Sequence, residues 1–342
     1  MNRFTSRMRL PRLFAQLYIG CCFRRSVFIA AVLMLGTIGM SQSDGGQPPI
    51  TALTISADDT TLVAGSQLGV HVISWPNLEP AVVRDVGFPQ IHDLQFSPNG
   101  KQLLIVGGAA GEYGEWKLVS WPEFEVITTR VSHSDVIHSA AWLSDDLFVT
   151  GGADNDLIQW RLSGGEAKEL RVVHGHSRRV LCVESMSEQK LVVSAGIDQV
   201  LRVWNGNQGI LAEPPLRNLD NHTGAVCDLA VRPGEHAIPY LASASVDRTV
   251  RFWQPTIGRL VRFAKLPVEP SSIAWNRDGE RIAVGCSDGK LRMINPNTVE
   301  TEQTLDGIEG WIYEVAAAGD GSFAVAGAGG SIARVIAAEP PK

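Results

Sequence analysis

The chain has 342 residues, of which 44% are hydrophobic, 19% charged and 7% aromatic, with 34 Gly, 18 Pro and 5 Cys. This composition excludes a disordered chain, a collagen and a small disulfide-rich protein. The net charge is −6, and removing the six Arg of residues 1–43, a segment without acidic residues, takes it to −12. An acidic surface repels nucleic acids and anionic lipids, so we expect neither to be the main partner.

Residues 1–43 have the order of an export signal. A basic stretch ends at Arg24 and Arg25, residues 27–40 are mostly apolar, and small or polar residues follow. The apolar run is shorter than the ~20 residues of a membrane-spanning helix. We therefore predict a cleaved signal peptide, with an uncleaved N-terminal membrane anchor as the alternative.

Either form of this segment places the rest of the chain outside the cytoplasm, because the positive charges stay inside. We expect an exported bacterial protein that is periplasmic, secreted or N-terminally anchored. An uncleaved N-terminal segment would be its only contact with the membrane.

The remainder of the chain is repetitive. Residues 44–49 form a short linker, residues 50–338 contain the repeats, and residues 339–342 form a tail. Short apolar runs alternate with Gly, Asp, Asn and Pro turns, and no helical periodicity is present. An apolar strand ending in Trp or a substitute recurs every ~43 residues. We align the repeats on Trp75, Trp121, Trp160, Trp204, Trp253, Ile294 and Val335.

A period of this length fits four short strands per repeat. We predict an all-β fold, a single seven-bladed β-propeller with four-stranded antiparallel blades over residues 50–338. The chain reaches only the third strand of the seventh repeat, which leaves three strands for the last blade. Runs of small residues, as at 241–246, predict a close approach of neighbouring sheets.

Three repeats share four correlated residue types, which are His, Ser or Thr, Asp and Trp. The sets are His133, Thr150, Asp154 and Trp160; His176, Ser194, Asp198 and Trp204; and His222, Ser243, Asp247 and Trp253. This pattern resembles the WD40 repeats of the WD domain, G-beta repeat family, from about residue 50 to 338. The resemblance implies a hydrogen-bonded network from His through Ser or Thr and Trp to a buried Asp. Blades 1, 2, 6 and 7 lack most of the set and must rely on apolar packing.

A catalytic or metal-binding role for these residues is less favoured than a structural one. The His, Ser and Asp combination occurs three times at matched spacing, whereas a nucleophile is needed once. His174 and His176 lie near Cys182, but no zinc-binding motif is present, and we predict neither a metal nor a cofactor. The Gly-rich residues 107–114 lack a following helix, so we interpret them as an enlarged hairpin of blade 2 rather than a phosphate-binding loop.

The resemblance also predicts where a partner binds. In WD40 propellers the loops that carry the His and the Asp lie on one face, called the top face, which commonly docks partners. The candidate partner-binding residues on this face are Glu112, Tyr113, Arg178, Arg179, Arg248 and Trp311. Aromatic and Arg side chains are favoured in the energetically dominant part of protein interfaces.

We therefore expect a non-enzymatic, extracytoplasmic propeller that serves as a scaffold for another protein. One alternative is a lactonase-like or metal-dependent hydrolase that uses the central channel, where the first strands of blades 1 and 7 offer little beyond Glu314. A second alternative is a carbohydrate-binding propeller that uses exposed aromatic side chains. The identity of the partner and the oligomeric state stay open, because a fold does not determine a ligand.

Overall fold

A computed structural model describes residues 46–206, 209–234 and 240–338. Within these ranges the chain forms 27 strands and two short 3₁₀ turns, Ser187–Gln189 and Ala328–Gly330. No helix in the same ranges has the length and apolar character needed to span a membrane. The predicted export signal, residues 44 and 45 of the linker and the tail at 339–342 lie outside the described residues, while residues 46–49 have no regular secondary structure.

The strands form seven consecutive antiparallel sheets, the blades. Blades 1 and 2 contain β1 (Ala52–Ile55), β2 (Thr61–Ser66), β3 (Gly69–Ser74) and β4 (Pro80–Arg84), then β5 (Ile91–Phe96), β6 (Gln102–Ala109), β7 (Tyr113–Ser120) and β8 (Val126–His133). Blades 3 and 4 contain β9 (Ile137–Ser144), β10 (Leu147–Gly152), β11 (Leu157–Ser163) and β12 (Glu166–Val173), then β13 (Val180–Met186), β14 (Leu191–Gly196), β15 (Leu201–Asn205) and β16 (Arg217–Leu219).

Blades 5 and 6 contain β17 (Val226–Val231), β18 (Leu241–Ser245), β19 (Thr249–Gln254) and β20 (Arg259–Lys265), then β21 (Pro270–Trp275), β22 (Ile282–Cys286), β23 (Lys290–Ile294) and β24 (Thr301–Asp306). Blade 7 contains β25 (Ile312–Ala317), β26 (Ser322–Gly327) and β27 (Ile332–Ile336).

The blades close into a ring. The first strand of each blade contacts the first strand of the next, from β1 through β5, β9, β13, β17 and β21 to β25, and β25 contacts β1 again. At the closure Ile50 donates its backbone N–H to the Gly327 carbonyl, with an N···O distance of 3.0 Å. The predicted seven-bladed propeller is confirmed, together with its three-stranded last blade.

The apolar cores lie between neighbouring blades. Each of seven buried clusters joins two blades; Trp204 of blade 4, for example, packs in a cluster with Val149 of blade 3. Small residues allow the second strand of blade 1 to approach the first strand of blade 2 closely. A Cβ atom at Gly65 would lie 2.6 Å from the Ile91 Cγ2 atom, closer than side chains tolerate.

The strand register corrects the alignment of the first two repeats. Trp204 pairs with Val192 of the second strand, whereas the second-strand residue at the same level in blade 1, Leu62, pairs with Ile73. Trp75 lies two residues further along, beyond the end of β3, so its predicted equivalence to Trp204 is wrong. The same correction replaces Trp121 with Val119, which pairs with Leu103 in blade 2. Residues two positions apart lie on the same face of a strand. The apolar pattern therefore predicts which face a residue occupies, but not which residue of the neighbouring strand it pairs with.

Candidate functional site

Four side chains of blade 4 form one hydrogen-bonded chain, which we call a tetrad. Trp204 donates its Nε1–H to the Ser194 Oγ atom at 2.8 Å, and that hydroxyl donates to the His176 Nε2 atom at 2.7 Å. His176 then donates from Nδ1 to Asp198 Oδ2 at 3.0 Å. This order of donors and acceptors assigns the histidine proton to Nδ1, and the Arg202 Nη1 atom, 2.7 Å from both Nδ1 and Asp198 Oδ2, then donates to the carboxylate. The chain links β14, β15, the turn between them and the loop before β13.

Blades 3 and 5 repeat this arrangement. In blade 3 the three donor–acceptor distances, in the order Trp160 to Thr150, Thr150 to His133 and His133 to Asp154, are 3.2, 2.9 and 2.9 Å. In blade 5 the distances from Trp253 to Ser243, Ser243 to His222 and His222 to Asp247 are 2.8, 2.7 and 2.8 Å. The structure thus brings together all twelve residues of the three sets found in the sequence.

Each tetrad carboxylate also accepts the backbone N–H of the residue after the histidine. The pairs are Ser134 to Asp154 at 3.0 Å, Ser177 to Asp198 at 3.1 Å and Thr223 to Asp247 at 3.1 Å. Hydrogen bonds to an ionised acceptor are stronger than neutral ones. Each tetrad therefore fastens the loop before an inner strand to the turn between the second and third strands of the same blade. Both segments belong to the top face.

The electrostatics favour an ionised Asp and a neutral His. Burial by itself raises the pKa of Asp198, but the hydrogen bonds from His176 and from the Ser177 N–H, with the charge of the Arg202 guanidinium 2.7 Å away, outweigh burial and lower this pKa to about 2. The pKa of Asp247 is lowered in the same way, against its burial. Burial lowers the pKa of His176 and of His222, although their carboxylate partners oppose this effect.

The geometry of the tetrads is unsuited to nucleophilic catalysis. The hydroxyl-bearing residues Thr150, Ser194 and Ser243 are each 0% exposed. A nucleophile must reach a substrate atom, and these hydroxyls are instead held between an indole N–H and an imidazole. The arrangement serves to hold two loops in a fixed relative position.

The sequence interpretation missed a set of acceptors on the inner strands. Asp93 on β5 accepts the backbone N–H of Ala140 in blade 3 through Oδ2, at 2.9 Å. Asp228 on β17 accepts the N–H of Ile273 in blade 6 in the same way, at 2.8 Å. Ser139 and Ser272, at the same level of blades 3 and 6, accept the N–H groups of Val183 and Val315 at 3.1 and 3.2 Å. These inner-strand acceptors join consecutive blades around the axis.

A further inner-strand carboxyl group lies near these acceptors. Burial, and then the charge of Asp228, raises the pKa of Glu184 on β13 to about 8, and burial raises the pKa of Asp93. Glu184 therefore holds a proton at neutral pH. In the described part of the chain no three His, Cys, Asp or Glu side chains are grouped as metal ligands would be. Asp93, Asp228 and Glu314 each stand directly after the bulge of an inner strand, and this shared position is the sequence signal that could have revealed the acidic members of the set.

The predicted partner-binding residues all lie at the top face. Glu112 and Tyr113 are in the β6–β7 hairpin, Arg178 and Arg179 precede β13, Arg248 is in the β18–β19 turn, and Trp311 precedes β25. Glu112, Arg178 and Arg248 are exposed, and the other three are half-buried. They come from blades 2, 4, 5 and 7, so they are distributed around the rim instead of forming the single cluster expected.

The Gly-rich segment of blade 2 forms the expected enlarged hairpin. Strands β6 and β7 have eight residues each and remain paired as far as Ala109 and Tyr113. The Gly111 N–H at the tip donates to the Asp135 Oδ1 atom of the loop before β9, at 2.7 Å. This contact ties the hairpin to the top face of blade 3.

Comparison with protein families identifies the repeat. Residues 167–205, 213–254 and 266–295 match the family model described as WD domain, G-beta repeat. Each of the first two matched segments begins with the outermost strand of one blade and continues through three strands of the next. The predicted resemblance to WD40 repeats is thereby confirmed for these three segments, which include Ser194, Asp198 and Trp204.

The chain is also similar to several curated proteins. It is 24% identical over 227 residues to the WD repeat-containing protein srw1 of Schizosaccharomyces pombe, covering 66% of this chain and 39% of that protein. It is 22% identical over 259 residues to Cell division cycle 20.5, cofactor of APC complex, of Arabidopsis thaliana, covering 74% and 56%. It is 27% identical over 194 residues to Elongator complex protein 2 of Danio rerio, covering 53% and 23%.

The chain thus spans only about a quarter to just over half of the length of these relatives. All three are eukaryotic proteins, so they give no support to the bacterial source expected from the N-terminal segment.

Proposed function

We propose that this chain, a seven-bladed propeller of WD40 repeats, is a non-enzymatic scaffold that docks another protein on its top face. The observation that carries the proposal is the set of three tetrads. In three consecutive blades, each tetrad holds a top-face loop against a top-face turn through charge-assisted hydrogen bonds. A rigid loop loses little conformational entropy when a partner binds, which favours its use as a docking surface.

The chemistry of the rim supports a protein as the partner. Arg178 and Arg248 are exposed in neighbouring blades, and the half-buried Trp311 and Tyr113 add aromatic surface. Arg and aromatic side chains dominate the binding energy of many protein interfaces. Among the relatives, the names "cofactor of APC complex" and "Elongator complex protein 2" describe members of multiprotein complexes. This agrees with a binding role, and the fold by itself does not name the partner.

The proposal includes a place of action outside the cytoplasm. Its support is the order of basic, apolar and small residues in the first 43 positions. A fusion of residues 1–50 to a reporter enzyme that is active only after export tests this part. Replacing Arg24 and Arg25 with Glu should abolish reporter activity, and an inactive reporter retained in the cytoplasm with the unchanged segment would contradict export.

Docking on the top face is tested by chemical crosslinking and capture with the full chain, followed by mass spectrometry. The test variant combines Arg178→Glu with Trp311→Ala, and the matched control is Arg277→Glu in the β21–β22 turn of the opposite face, where the side chain is 75% exposed. We expect one protein to be captured by the wild type and by Arg277→Glu, and to be lost with the double variant.

Two results would contradict the top-face proposal. Equal loss of the partner in the double variant and in the control would move the interface away from the top face. Capture of no protein by any form, with retention on a glycan matrix, would favour the carbohydrate-binding alternative. Circular dichroism spectra of all three forms must agree, so that loss of binding is not caused by unfolding.

A further inference from the structure

The outer edge of blade 7 differs from that of every other blade. In blades 1 to 6 a fourth strand pairs with the third strand, as β24 does with β23. Blade 7 has three strands, and among the described residues no strand pairs with the outer side of β27. Every second residue of such an edge strand directs its backbone N–H and C=O groups outward, where another chain can pair with them.

In blades 3, 4 and 6 the fourth strand also supplies an apolar side chain to the next interface. Val173 of β12, Leu219 of β16 and Leu305 of β24 each belong to, or pack on, the apolar cluster shared with the following blade. The cluster between blades 7 and 1 contains no fourth-strand residue. The interface between blades 7 and 1 therefore lacks an apolar side chain that the interfaces after blades 3, 4 and 6 possess.

A cavity occupies this place. Its volume is about 270 Å³, and Ile50, Val72, Leu78, Val82 and Ile332 are among the residues that line it. It lies between β27 on one side and the outer strands of blade 1 on the other. Val82 is still 46% exposed there, and Ile336 at the end of β27 is 64% exposed. The missing strand thus leaves an unpaired edge and an apolar cavity side by side.

Among the described residues before β1, Gln47 and Ile50 line the cavity, and the part of the chain that precedes them has the wrong chemistry to fill it. Val173, Leu219 and Leu305 each precede the next inner strand's Val180, Val226 and Ile312 by seven positions. The residue seven positions before the equivalent Ile50 is Ser43, and the next residue on the same face of a strand is Ser41. Pro48 and Pro49 follow, and proline offers no N–H for pairing.

The other end of the propeller is directed away from the cavity. After β27 the backbone of Ala338 is held on blade 6, where Gln303 Nε2 and Arg281 Nη1 donate to its carbonyl oxygen at 2.7 and 2.9 Å. The Ala338 N–H also donates to the Gln303 side chain, at 3.0 Å. These three bonds turn the chain toward β24 and away from blade 1.

A second copy of the chain fits less well than a different protein. It would offer the same edge, and in the symmetric antiparallel pairing the central residue Arg334 would face its own equivalent. Like charges directly opposite each other destabilise a strand pair. Two of the three large apolar side chains of β27, Ile332 and Val335, are already packed in the interfaces of their own blade.

We propose that the outer edge of β27 binds an extended segment of a partner protein, which adds the fourth strand of blade 7 and fills the cavity with apolar side chains at alternate positions. Backbone hydrogen bonds to β27 supply affinity, and the cavity selects segments with an apolar residue at the inward position. This side-edge site is separate from the top face and does not depend on docking there.

The test uses the full chain and a synthetic peptide probe with the sequence of residues 166–173, an outer strand that ends in an inward Val. Binding is followed by fluorescence anisotropy of the labelled peptide, and hydrogen–deuterium exchange locates it. We expect saturable binding that slows amide exchange in residues 332–336. A peptide with Asp at the position of Val173 should bind about tenfold more weakly or worse, because its charge would be buried without a partner.

Matched protein variants locate the site. Val82→Asp places a charge at the rim of the cavity, and Val131→Asp makes the same change on β8, where Val131 is 64% exposed in a complete blade. We expect binding to fall by about tenfold in Val82→Asp and to stay unchanged in Val131→Asp. Because both positions are exposed, both variants should keep the wild-type melting temperature.

Three results would overturn the proposal. The first is the absence of peptide binding to the folded wild-type chain. The second is slow exchange of the outward-facing amides of β27, at alternate positions within residues 332–336, before peptide is added and at every protein concentration, which would mean that the chain covers its own edge. The third is slow exchange that appears only with dimer formation in light scattering, which would assign the edge to a second copy.

Discussion

Blades 3, 4 and 5 are stabilised by buried polar tetrads, whereas blades 1, 2, 6 and 7 have the same strand order without them. At the position of Trp204, blade 6 has Ile294 and blade 7 has Val335, both buried and paired at the same level of the sheet. The propeller geometry therefore needs an apolar side chain at this position but not an indole. The tetrad adds directional bonds that hold top-face loops.

The other blades use simpler polar contacts near the same turn. In blade 6, Val284 stands at the level of Ser194, and Arg292 forms an ion pair with Asp288 at 2.6 Å. In blade 1, the Ser66 Oγ atom lies 2.7 Å from the His71 Nε2 atom. These contacts stay within one hairpin. They leave the loop before the inner strand without the clamp found in blades 3 to 5.

The largest effect should follow from removing a tetrad carboxylate. Asp198→Ala deprives His176, the Ser177 N–H and Arg202 of their common acceptor, so we expect the free energy of unfolding to fall by about 3 kcal/mol. Urea titration measures this change. As control, Asp306→Ala removes a carboxylate whose side chain is 95% exposed in its pair with Lys290, and should cost less than about 1 kcal/mol. An equal loss of stability in Asp198→Ala and Asp306→Ala would show that a tetrad carboxylate contributes no more than an exposed one.

The hydroxyl of the tetrad should have a somewhat smaller effect. Ser194→Ala leaves the buried Trp204 N–H without an acceptor and His176 without a donor, which should cost about 2 kcal/mol. The reciprocal change Val284→Ser introduces a hydroxyl into a blade that has Ile294 in place of the indole, and should destabilise by about 1 kcal/mol. Both values come from thermal or urea unfolding, and an increase in stability with Val284→Ser would show that the comparison is wrong.

Acid should weaken blades 3 to 5 through their ionisable pairs. The pKa values of Asp154, Asp198 and Asp247 are lowered in the folded state, so their contribution is present above the ordinary value near 4 and is lost as the pH falls below it. The lowered pKa values of His176 and His222 also make the folded state less stable in acid. As the pH falls below about 6.5, these histidines take up protons in the unfolded chain before they do so in the folded one.

We therefore expect the free energy of unfolding to decrease from about pH 7 down to about pH 3, as unfolding titrations at several pH values would show. Asp198→Ala should flatten the acidic part of this profile, since it removes one of the carboxylates concerned. An unchanged slope in that variant would mean that the tetrads do not cause the acid sensitivity.

The inner strands should give an effect with the opposite sign. The pKa of Glu184 is raised to about 8. Its contribution to the free energy of unfolding is therefore fully present below the ordinary pKa of a Glu side chain and is lost as the pH rises toward 8. Glu184→Gln should raise Tm by several °C at about pH 9 and leave it nearly unchanged at about pH 5. Glu188→Gln, in the exposed turn after β13, is the control and should change neither value. A lower Tm for Glu184→Gln at alkaline pH would contradict the raised pKa.

Several features of the fold were accessible from the residue pattern. The period of ~43 residues predicts four strands per blade and seven blades, because each blade repeats the same sequence of strands and turns. The tetrads were accessible as well, since Ser194, Asp198 and Trp204 keep their spacing within one hairpin and only His176 lies outside it. The position of Trp75 along its strand could not be predicted from the sequence. Residues two positions apart share a face, and only the pairing partner on the neighbouring strand distinguishes them.

By itself, the sequence determined the number of blades, the three-stranded last blade and the members of each tetrad, because all of these arise from local and repeated chemistry. Only the tertiary structure decided the bonds from Asp93 to Ala140 and from Asp228 to Ile273, which connect blades across the ring. It likewise decided the cavity beside β27, which exists because ring closure brings an incomplete blade against a complete one. Contacts of this kind depend on how blades pack around the axis, and no spacing along the chain specifies that packing.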